Sequence, residues 1–120
     1  MPLTRLLADA AAAPPDRRIE WRDPIAAFGR RGIEGVEPWL ADGALAAFAI
    51  RVIWRVGERG EPAAAVKVLR AARSRLSPHL QADVDWALRA LGPAVREAAG
   101  TPPTAGAPRV PAPRTRQRQA

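Results

Sequence analysis

The chain has no cysteine, one histidine, one lysine and only two serines among its 120 residues. Without cysteine there is no disulfide framework and no thiolate metal site, which suits a reducing cytosol; the expected location is cytoplasmic. No apolar run approaches the roughly 18 residues that a membrane span needs, so no membrane association is expected. Near the start, Asp9 interrupts the weakly apolar stretch after Arg5, and a short surface helix is expected there instead of a signal peptide. The lone histidine, His79, follows Ser77–Pro78 in a first helical turn and reads as a surface residue. Ser74 and Ser77 belong to no nucleophile elbow, and no glycine loop of the phosphate-binding kind is present. Asp83 and Asp85 are two apart on a helix and diverge, while Glu34 and Glu37 fall in a first turn where the helix dipole favours acids. The expectation is no enzyme, no cofactor, no metal and no small-molecule ligand.

Acidic residues are scarce in two segments, and that shapes the charge. The net charge is +7. Residues 51–76 carry six arginines and Lys67 against Glu58 and Glu61 only, and residues 101–120 carry four arginines and no acid. The rest of the chain is close to neutral. Eighteen arginines to one lysine, with abundant alanine, glycine and proline, also fit a GC-rich coding bias.

The longest helical pattern is Gly43–Arg59. Leu45, Phe48, Ala49, Val52 and Val56 recur at helical spacing on one stripe, which Ile53 widens. Arg51, Arg55 and Arg59 step by four along its edge as a basic ridge. Ile50 and Trp54 lie roughly opposite the stripe, so the helix is apolar on two sides, as a central helix would be.

Five further helical segments surround this one. Thr4 is expected to cap a loosely packed helix ended by Pro14–Pro15, and Ile19 and Trp21 to anchor the connector after it. Asp23–Pro24 is a helix start, with a stop near Gly32. A helix over 33–41 carries Pro38 early, and Asp42 caps the central helix, which Gly57 or Gly60 releases. Glu61–Pro62 and Ser77–Pro78 open two more helices, and Gly92–Pro93 is expected to close the last, leaving a short turn over 94–99. No segment alternates as a strand does. The predicted fold is all-α: a compact bundle of five to six short helices over 1–99. The proline- and arginine-rich tail, 100–120, cannot bury enough surface to offset its ordering entropy and is expected to be disordered.

Residues 25–56, with "GIEGVEPWL", a turn at Asp42 and a longer second helix, resemble a HEAT-like helical repeat. "EPAAAVKVLRAAR" followed by "HLQADVDWALRALG" over 61–92 is similar in rhythm. The resemblance implies α-α stacking and little about activity. Two pairs are fewer than the three or more that a solenoid needs, so either the first helix and the Trp residues cap a compact bundle or the chain stacks on another protein.

Two surfaces stand out. Ile50 and Trp54 form a candidate patch for a protein partner or for self-association. Arg51, Arg55, Arg59, Lys67 and Arg70, with Arg114, Arg116 and Arg118 of the tail, form a candidate contact for nucleic-acid phosphates or an acidic partner. Trp21, Trp39 and Trp86 are expected to fill space among alanine-rich helices. The leading expectation is a non-enzymatic interaction module, and the alternative is a small nucleic-acid-binding protein.

Overall fold

The computed structural model describes residues 2–100, with side chains to residue 98. The tail beyond, including Arg114, Arg116, Arg118 and the expected disorder, lies outside the described residues. Six α-helices and no strand occur among the described residues: α1 (Leu3–Ala12), α2 (Arg22–Ala26), α3 (Arg30–Val36), α4 (Ala46–Glu58), α5 (Pro62–Arg73) and α6 (Pro78–Gly100). Short 3-10 turns at Arg18–Trp21 and Glu37–Ala41 precede α2 and α4.

The central pattern becomes α4, which packs against α2, α3, α5, α6 and the second 3-10 turn. Ala49, Val52, Ile53 and Val56 are buried by it, and so is Ile50 at 0% exposure. With five elements around one helix, the stripe is covered and so is the opposite side at Ile50, while Trp54, one turn on, stays partly exposed. Ile25, Val36, Leu69, Val84 and Leu91 are the other large side chains of the fully buried core.

Asp42 does not cap α4 directly. Its carboxylate accepts from the Ala44 amide at 2.9 Å, making a turn whose carbonyl then receives Ala46 N–H at 2.8 Å. At the other end Gly60, at φ +137°, releases the helix. Gly57 lies within α4 and serves a different purpose. A Cβ there would stand 2.8 Å from Ala65 Cβ on α5 and 2.9 Å from Leu91 Cδ2 on α6, so the missing side chain lets three helices meet.

Several boundaries differ from the expected ones. α2 stops at Ala26 and the break falls at Gly29, whereas Gly32 is buried inside α3. Asp23 turns its carboxylate to Arg22 and Arg55 and caps no helix. α6 does not close at Gly92–Pro93. Proline removes the bond to the Arg89 carbonyl, but Pro93 and Arg89 both face solvent, and Leu91 and Val95 continue the packing stripe through the break.

α1 is anchored, not loose: Leu3, Leu6 and Ala10 are buried. Thr4 sits inside the helix, which Pro2 precedes without any side-chain cap. The anchor of the following connector is Arg18, 8% exposed, while Ile19 stands out at 48%. Arg18 donates to the carbonyls of Ala10 and Ala13, each at 2.8 Å, and of Ala11 at 3.4 Å. The guanidinium thus occupies the negative end of the α1 dipole.

α5 and α6 are tied by Arg73, which donates from Nε and a terminal nitrogen to both oxygens of Asp85 at 2.7 and 2.8 Å. That hydrogen bonding holds the Asp85 carboxyl below its ordinary value, burial opposing it. A depressed carboxyl contributes stability that is complete above its unfolded value, 3.8, and lost as pH falls from there towards the folded value. The melting temperature of Asp85→Asn is therefore expected to drop less between neutral pH and about pH 3 than that of the parent. An equal drop in both would remove Asp85 from the acid response.

Candidate interaction surface

Leu91 lies beside Gly57 of α4, and Trp86, five residues earlier on α6, meets Trp54 and Arg51. The indoles of Trp54 and Trp86 lie 5.1 Å apart, tilted by 50°. The Arg22 guanidinium carbon stands 5.8 Å from the centroid of Trp54, and that of Arg51 stands 5.3 Å from the centroid of Trp86. The result is a row, Arg22–Trp54–Trp86–Arg51, bridging α2, α4 and α6. Trp54 is half-buried, and Trp86 is 40% exposed.

Ion pairs flank the row. Asp23 accepts from Nε of Arg22 and from Nε of Arg55, each at 3.0 Å. The Arg22 hydrogen bond holds the Asp23 carboxyl below its ordinary value, burial opposing it and the charges of Arg22 and Arg55 adding to it. Arg55 also donates to Glu58, and chiefly through that bond its pKa is raised. Arg51 differs. No carboxylate lies within ion-pair distance of it among the described residues, and its one partner is the Trp86 ring.

The expected site residues are therefore redistributed. Ile50 is interior and cannot face a partner, because the side of α4 that carries it is closed by neighbouring helices. Trp54 stays on the surface, beneath Trp86. Arg55 is engaged with Asp23 and Glu58, while Arg51 and Arg59 are exposed. Lys67 lines a groove of about 330 Å³ between α3 and α5 with Glu34 and Glu37. Arg70 is exposed on α5. The basic residues of 51–76 do not form one continuous track.

Trp86 and Arg22 are the surface members that the sequence reading missed. Trp86 was expected to fill space, and the contrary signal was present: it lies about 200° round the wheel from Val84, off the stripe of Leu80, Val84, Ala87 and Leu91. Arg22 gave no sequence signal. Trp21 and Trp39 do pack on the core, Trp39 at 6.1 Å from Phe48.

A second concavity of about 500 Å³ continues the α3–α5 groove towards Leu40, Arg75 and Leu76. Neither concavity gathers catalytic groups, and the described residues hold no cluster of three His, Cys, Asp or Glu able to bind a metal ion. No described helix is long and apolar enough to cross a membrane. No family model matches the chain, and neither a curated protein nor a solved structure does so.

Proposed function

We propose that this chain is a non-enzymatic, HEAT-like interaction module that docks on a protein partner, or on a second copy of itself, through the Trp54–Trp86 face. One observation carries the reading: a 40% exposed tryptophan, packed at a tilt against a second tryptophan between two arginines. Trp and Arg are the side chains that dominate binding energy at protein interfaces. Here the rings are already ordered against each other, which lowers the entropy lost on association. The packing of α3 on α4, α4 on α5 and α5 on α6 supports the HEAT-like part of the reading.

Ala82 and Ala90 lie one turn to either side of Trp86 and are exposed, so a photo-crosslinking amino acid at either position samples this face. The expected result, in cells that make the protein, is one discrete adduct from these positions and none from exposed Ala11 on α1. Trp86→Ala should weaken the captured interaction about thirtyfold while leaving helicity unchanged. Equal labelling from Ala11, or an adduct indifferent to Trp86→Ala, would remove this face from the interaction. Light scattering of the purified chain separates a second copy from another protein.

A further inference from the structure

The occupant's chemistry follows from Arg51, and this step rests on the docking face just proposed. Arg22, Arg51 and Arg55 border the face, with Arg89 one turn beyond Trp86 on α6, against the carboxylates of Asp23, Glu58 and Asp83, the last one turn before Trp86. Asp23 and Glu58 are already engaged by Arg55, and Asp23 by Arg22 as well. Against Asp83 stand Arg89 and Arg51, so the balance stays positive where Arg51 lies over Trp86.

A guanidinium held over a ring keeps its N–H edge open. Its donors are coplanar and match both oxygens of a carboxylate at about 2.7–2.9 Å. The cation–π contact also fixes the rotamer in advance, so a bidentate pair forms with less loss of freedom. We infer that the segment docking here is an acidic, amphipathic peptide of a protein partner, with a carboxylate seated on Arg51 and an apolar side chain against Trp86.

A nucleic-acid strand fits less well. Its phosphates repeat every few ångströms, so a strand following the α4 ridge would pass Asp23 and Glu58 at Arg55. Lys67, which would extend such a track, lies in the groove between α3 and α5. Arg51 also covers a face of Trp86 that a stacking base would need.

The test uses fluorescence anisotropy of the full chain with three labelled amphipathic peptides. They share their apolar positions and carry Glu, Gln or Lys at the others; an oligothymidylate serves as polyanion. Near physiological salt, the Glu peptide is expected to bind about tenfold more tightly than the Gln peptide, and the Lys peptide not at all. Arg51→Gln should remove that advantage and leave the Gln peptide unaffected, whereas Arg51→Lys should restore only part of it, having no planar fork. Arg70→Gln, an exposed charge elsewhere on the chain, should change nothing.

Equal binding of the Glu and Gln peptides, both lost in Trp86→Ala, would overturn the acidic preference and leave the docking face standing. Binding that ignores Trp86→Ala, or no peptide binding up to millimolar concentration, would overturn the inference, and the crosslinking result then decides the face by itself. An equal effect of Arg70→Gln would reduce the preference to net charge. Tighter binding of the oligothymidylate would replace the acidic peptide by nucleic acid.

Discussion

Arg18→Met is expected to lower the unfolding free energy by about 3 kcal/mol, through the loss of charge-assisted hydrogen bonds and the stranding of the Ala13 carbonyl. Methionine keeps most of the aliphatic stem, so the packing change is small and the effect isolates the guanidinium. The wild-type group donates to Ala10 and Ala13 at 2.8 Å each; Ala10 O also accepts the Ala13 N–H at 3.2 Å, while Ala13 O, past the helix end, has Arg18 as its donor. Nothing else described is placed to replace it: the Ala13 N–H already bonds Ala10, and Pro14 and Pro15 have no N–H to offer. Arg18→Lys should recover only part of the loss, since one ammonium replaces a fork that spans two carbonyls. Urea unfolding followed by helicity gives the measurement. A change below about 0.5 kcal/mol, the range of ordinary surface substitutions, would mean that water satisfies α1 equally well. A loss confined to α1, with the α4–α6 core melting as before, would make α1 a separate cooperative unit.

Gly57→Val is expected to cost about 3 kcal/mol or more, and Gly57→Ala a smaller amount, by overpacking. Helix propensity pulls the other way, because alanine in a helix interior is favoured over glycine by about 1 kcal/mol. Position decides the sign. A Cβ would come within 2.8 Å of Ala65 Cβ and within 3.0 Å of both Leu91 methyls. Leu91 can change rotamer, but Ala65 moves only if α5 moves. Ala65→Gly should therefore rescue Gly57→Ala, and the pair should be strongly non-additive. The same wedge reaches the proposed docking face, since it parts α4 from α6 one turn beyond Trp54. A Gly57→Ala variant that is more stable than the parent would show that the helices are not in close contact there.

How much of this was open to reading from residue order depends on how local each signal is. The α4 stripe is local: Phe48, Ala49, Val52, Ile53 and Val56 repeat within three turns and are buried, while Leu45, its first member, precedes the helix and is half-buried. The starts at Pro62 and Pro78 are local too, and both helices begin there. Ile50 illustrates the limit of a helical wheel, which gives directions around the axis but not which of them a neighbour closes. Arg18 works across a reversal in the chain, bonding carbonyls five to eight residues back with no periodicity to betray it. The stop expected near Gly32 falls at Gly29 instead, because Gly32 lies in α3 where it packs over Ile25. At Gly92–Pro93 a stop signal met a continuing apolar stripe, and the stripe prevailed. The candidate face was half legible: Trp54 and Arg51 share one helix, while Trp86 comes from α6, which residue order does not place against α4.

The geometry of the two indoles has an optical consequence. Ring centroids 5.1 Å apart, in planes at 50°, allow the ultraviolet transitions of Trp54 and Trp86 to couple and share their excitation. Two chromophores that are neither parallel nor perpendicular contribute a pair of circular-dichroism bands of opposite sign, distinct from the helix signal. Trp21 and Trp39 have no indole partner among the described residues and contribute no such couplet. The junction between α4 and α6 therefore carries its own spectral mark, by which its separation can be told from the loss of helix.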